Sequence, residues 1–129
     1  MRKTLAIELP WPPRGLSPNA RLQRYQKAEL FKATKLLAYA KAKKQLGRRK
    51  VKLTAGSRMN LKLICTPPIL RYHDEDNLLA NCKATLDGLA LAFGINDHLF
   101  HFREQEWNKP KKPGSLTIVC DWIQEEVNA

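Results

Sequence analysis

The sequence predicts an α+β fold: a small mixed β-sheet of about four strands with two helices packed on it, in the order β-α-β-α-β-β. Two observations carry this. Apolar residues alternate with polar ones in short runs, the period of a strand with one buried face, whereas two longer stretches place them at steps of three and four, the period of a helix. Proline and glycine fall at the boundaries of these runs. With 129 residues, the chain is read as a single domain spanning 1–129, with one core of modest size.

Leu5, Ile7 and Leu9 alternate with Ala6 and Glu8 as a first strand, which Trp11-Pro12-Pro13 ends because proline has no N–H for the ladder. Gly15, Ser17, Pro18 and Asn19 read as a loop, with Asn19 or a neighbour capping the next element. From about Leu22 to Leu46 there is no glycine or proline, and Leu30, Ala33, Leu37 and Ala40 recur at helical spacing, so a long helix is expected to end at Gly47. Val51 to Ser57 is a polar connection. Met59, Leu61, Leu63 and Cys65 then alternate as a second strand, stopped by Pro67-Pro68. From Asn77 to Phe93, Leu78, Leu79, Cys82, Leu86, Leu89 and Phe93 define one helical face, and Gly94 ends it. Phe100 to Trp107 and Leu116 to Ile123 read as two strands joined by a Pro- and Gly-containing loop. Its lysines, Lys109, Lys111 and Lys112, suit either a phosphate clamp or a solubilising hairpin tip.

Charge narrows the function. The chain has 23 Lys and Arg against 12 Asp and Glu, a formal +11, which favours phosphate-rich or acidic partners over a neutral ligand. Cys65, Cys82 and Cys120 are odd in number and far apart, so neither a disulfide framework nor a zinc knuckle is indicated, and buried thiols in a reducing compartment are expected. No apolar run approaches the roughly 20 residues a bilayer crossing needs, so a soluble cytoplasmic protein without membrane association is expected.

Against this basic background, Arg71-Tyr72-His73-Asp74-Glu75-Asp76-Asn77-Leu78-Leu79 concentrates three acids in three successive positions. If residues 72 to 76 are extended, Asp74 and Asp76 share a face with Cα atoms roughly 6.5–7 Å apart, close enough to ligate one cation. Ligation by oxygen alone points to Mg²⁺, with Mn²⁺ as a substitute. The competing reading is that either Asp caps the second helix. On a continuous helix from Asp76, Lys83 and Asp87 lie along one stripe away from the Leu/Phe face, directing Lys83 toward the acids. Lys83 and Asp87 also form an i, i+4 pair. Asp97 stands in a turn, where Asp is common for unrelated reasons. His73, His98 and His101 raise a zinc alternative, but no His-x-x-x-His spacing or cysteine pair accompanies them.

These residues carry a resemblance. Leu9-Pro10-Trp11-Pro12-Pro13, Ser17-Pro18-Asn19-Ala20-Arg21, Asp74-Glu75-Asp76-Asn77-Leu78, Leu86-Asp87-Gly88-Leu89 and Asn96-Asp97 together resemble the RusA family of Holliday-junction resolvases, nearly end to end. The resemblance implies a homodimeric Mg²⁺-dependent endodeoxyribonuclease that cuts four-way DNA junctions in two opposing strands, with no small-molecule cofactor. It implies Asp74, Asp76 and Asp97 as metal-binding catalytic carboxylates, with Asp87 as support for the site. One branch of the family has a lysine four residues after the second Asp, where this chain has Ala80; Lys83 is the substitute this sequence offers. Arg14, Asn19, Arg21, Lys27, Arg71, Lys109, Lys111 and Lys112 are the candidates for DNA contact. The competing functions are a protein that binds branched DNA without cutting it and a zinc-dependent hydrolase.

Overall fold

The computed structural model describes residues 1–13, 16, 23–69 and 75–125, the side chains of 75–77 excepted. Strands β1 (Arg2–Pro10), β2 (Met59–Thr66), β3 (Phe100–Trp107) and β4 (Ser115–Ile123) form one sheet in the order β1-β4-β2-β3. β4 runs antiparallel to both β1 and β2, and β2 and β3 are parallel, so the sheet is mixed and the fold α+β. The inward positions are those the alternation marks: Leu5, Ile7 and Leu9; Met59, Leu61, Leu63 and Cys65; Leu116, Ile118, Cys120 and Trp122 are all buried.

β3 and β4 are not a hairpin. β3 joins the sheet beyond β2 while β4 enters between β1 and β2, so residues 108–114 cross the end of β2. That crossing is bonded to the backbone it passes: the Asn108 N–H donates to Cys65 O at 2.8 Å and the Lys111 N–H to Pro67 O at 2.9 Å. Gly114 sits so close to Trp11 and Pro68 that a Cβ there would come within 2.8 Å of Pro68 Cδ.

α1 (Arg24–Leu46) starts later than Asn19. Its cap is Gln23, whose N–H donates to Gln26 Oε1 at 3.2 Å. At the other end Gly47 adopts φ 61°, and Arg49 donates from Nη2 to Gln45 O at 2.8 Å and from Nε to Leu46 O at 3.2 Å, satisfying carbonyls the helix leaves open. The buried stripe is Ala38, Ala42 and Leu46; Ala33, Leu37 and Ala40, residues the spacing marks, are exposed. Alanine occurs on several sides of this helix, so periodicity does not choose among them. The choice is made by contact with α3 (Lys83–Phe93), where a Cβ on Gly88 would collide with Lys35 O and lie 2.9 Å from Ala38 Cβ.

The second predicted helix is two: α2 (Glu75–Asn81) and α3, broken at Cys82, whose φ −88° and ψ 0° leave the helical region. The Cys82 N–H is shared between Leu78 O and Leu79 O. α3 is wedged between α1 and the sheet, with Ala84, Thr85, Gly88, Leu89, Ala92 and Phe93 buried, and the Phe93 ring lies 6.3 Å from that of Trp122. Gly94 closes it in the left-handed region at φ 68°, and the Ile95 N–H reaches back to Ala90 O. The helices cover one sheet face; on the other, Arg2, Thr4, Ala6 and Glu8 of β1 are exposed.

Candidate functional site

The break at Cys82 makes Lys83 the first residue of α3 and aims its side chain outward. Its Nζ lies 3.2 Å from Asp87 Oδ1, one turn along the helix, and 3.5 Å from Asp97 Oδ2. The second contact depends on the C-terminal end of α3. Gly94 reverses the chain, Ile95 anchors it to the core, and Asn96 opens a 3₁₀ turn over Asp97–Leu99 by accepting the His98 N–H on Oδ1 at 3.2 Å. An Asn at 96 therefore shapes the turn that holds Asp97.

The three side chains are graded in exposure: Lys83 64%, Asp97 48% and Asp87 25%. The two carboxylates raise the Lys83 pKa above its ordinary 10.5, first through the Asp87 hydrogen bond and charge, then through Asp97. Lys83 is thus a fixed ammonium at neutral pH. It offers positive charge to an anion and cannot serve as a general base.

Asp97 and Lys83, separate in the sequence, are brought together, and the expected i, i+4 pair of Lys83 with Asp87 forms. Asp74, with Arg14, Asn19, Arg21, Arg71 and His73, lies outside the described residues. Asp76 belongs to α2, and its side chain is outside the description. Glu75 and Asp76 are helical, so the extended conformation over 72–76 does not hold at its last two positions. An acidic residue in a first helical turn interacts favourably with the helix dipole, which draws the helix start into the motif. The helix expected to carry a stripe from Asp76 to Asp87 is interrupted at Cys82, and the Lys83–Asp87 part of that stripe forms.

Among the described residues no group of three or more His, Cys, Asp or Glu is placed to hold a metal. The described part of the predicted ligand set is Asp97, an exposed carboxylate in a turn. A set of Asp74, Asp76 and Asp97, as the sequence expects it, would be all-oxygen, a donor chemistry that suits Mg²⁺ or Mn²⁺ better than zinc. Of the other expected contacts, Lys27 is half-buried on the first turn of α1, and Lys109, Lys111 and Lys112 are exposed on the crossing segment. Bonded at Asn108 and Lys111, that segment presents its lysines from a tethered backbone, not from a hairpin tip.

No protein-family model matches this chain. It is similar to an uncharacterized protein of Xylella fastidiosa (strain Temecula1 / ATCC 700964), 28% identical over 128 residues, which span 99% of this chain and 83% of that protein.

Proposed function

We propose that this protein is a Mg²⁺-dependent, structure-selective endodeoxyribonuclease of the RusA type, which resolves four-way DNA junctions as a homodimer. The observation that carries the reading is the Lys83 ammonium held between Asp87 and Asp97, on the helix after the Asp74–Asp76 motif. A binder of phosphate alone gains nothing from carboxylates directed at its ligand. A nuclease needs both: carboxylates for a cation, and a fixed positive charge for the phosphate.

Asp74, Asp76 and Asp97 would hold Mg²⁺, which supplies Lewis-acid polarisation of the scissile phosphate and a more acidic water when bound. Lys83, kept protonated by its two partners, stabilises negative charge gathering on the phosphate oxygens in the transition state. Asp87 positions Lys83 and Asn96 positions Asp97. Lys27, Lys109, Lys111 and Lys112 contribute backbone contacts, which orient DNA without reading its sequence. A second copy related by a two-fold axis would provide the paired site that symmetric cutting requires.

No helix among the described residues is long and apolar enough to cross a membrane. Three buried cysteines fit residence in a reducing cytoplasm. The test is cleavage of a labelled four-way junction by the purified chain in Mg²⁺ and in chelator. Paired nicks are expected in Mg²⁺ only, and Asp97→Asn should abolish them while junction binding persists. Binding without nicks in Mg²⁺ would instead identify a non-cleaving branched-DNA binder.

A further inference from the structure

The sheet face opposite the helices carries a second concentration of charge, which the cleavage reading does not use. Asn60 and Asp121 are partners across β2 and β4, and Asn60 Nδ2 donates to Asp121 Oδ1 at 3.1 Å. Arg2 Nη2 lies 3.6 Å from the same oxygen. Beside them Ser57, Arg58 and Arg103 complete the wall of an open depression of about 300 Å³.

Arg103 reaches this place through an irregularity in β3. Leu61 pairs with Phe102 and Lys62 with Glu104, so Arg103 is the extra residue of a bulge, a feature that re-aims a side chain and is frequent beside binding sites. Among the described residues, the side chains of Arg58 and Arg103 make neither an ion pair nor a hydrogen bond. Three arginines and one carboxylate that is already engaged line the depression, a surplus of two positive charges. Like charges converge at a cost that a bound anion offsets. The planar guanidinium fork matches the oxygens of a phosphate better than any other common anion.

We propose that this depression is a phosphate-binding site, with Arg58 and Arg103 as its principal ligands, taking either a phosphodiester of a nucleic-acid backbone or free phosphate. It shares no residue with the Lys83–Asp87–Asp97 cluster and is independent of the cleavage chemistry.

The test uses the full chain in chelator, so that no cutting occurs. The arginine Nε–Hε resonances are followed by NMR during titration with inorganic phosphate and, separately, with a duplex oligonucleotide. Salt dependence of duplex binding is compared for the wild type, the pair Arg58→Gln with Arg103→Gln, and the pair Arg58→Lys with Arg103→Lys. If the backbone is the ligand, both titrants shift the Arg58 and Arg103 signals. The Gln pair then lowers the slope of log K against log salt by about 1.8, two contacts at about 0.9 each, while the Lys pair retains it. If free phosphate is the ligand, only phosphate shifts these signals and the slope is unchanged. Failure of both titrants to move either arginine overturns the site. A chain that never cuts junctions but whose Arg58 and Arg103 respond would refute the nuclease and leave this site standing.

Discussion

Lys83 is the residue on which the chemistry turns, because both of its carboxylate partners act to keep it charged. Lys83→Gln removes the positive charge that Asp87 and Asp97 both contact; junction cleavage is expected to fall about 10²-fold or more with binding little changed. Lys83→Arg, which keeps the charge, should recover a measurable part of that rate. The raised pKa means the cation persists above 10.5, so loss of Lys83 function is not expected to shape a pH–rate profile near neutrality. The cysteines behave in the opposite manner. Burial pushes Cys82 and Cys120 from 9.0 up to about 12, so both stay neutral and unreactive while folded. A thiol reagent at pH 8 should label Cys65, Cys82 and Cys120 only after denaturant is added. Because the unfolded chain gives up these protons first, the stability tied to them is complete below about 9 and declines as pH rises toward about 12.

At the scale of elements, α1 and α3 approach closely, and Gly88 makes that possible. Gly88→Ala places a methyl group against Lys35 O, backbone that cannot rotate away. A loss of about 1–3 kcal/mol is expected, measurable as a lower denaturation midpoint, with Leu91→Ala, on an exposed position of the same helix, as a mild control. β1, β2 and β4 were legible in the sequence because Leu, Ile, Met and Cys at every second position admit only one buried face. α1 was legible in extent but not in orientation, since Ala33, Ala38, Ala40 and Ala42 resemble one another and only the glycine facing Ala38 distinguishes them. The break at Cys82 was hidden because Cys82 belongs to the apolar pattern on either side of it. In the site, the Lys83–Asp87 pair was readable from spacing. The Lys83–Asp97 contact depends on a reversal at Gly94 that spacing does not reveal, and the arginines of the open face are joined only by strand order and a bulge.

At the scale of the whole molecule, the positive charge is distributed over both sides of the sheet. Lys83 lies on the side of the helices, and Arg2, Arg58 and Arg103 surround a depression on the other. The strand at the heart of the sheet, β4, is also the last of the four in sequence, and it bridges β1 to β2. While the chain is being synthesised, β1 therefore emerges more than a hundred residues before its partner, and one hydrogen-bonding edge each of β1 and β2 must wait unpaired on the ribosome. Such non-local pairing slows folding and exposes the nascent chain to aggregation and chaperone capture. A chain stopped at Gly114 should have no cooperative melting transition by circular dichroism. Supplying residues 115–125 as a separate peptide should restore one, since it returns the central strand.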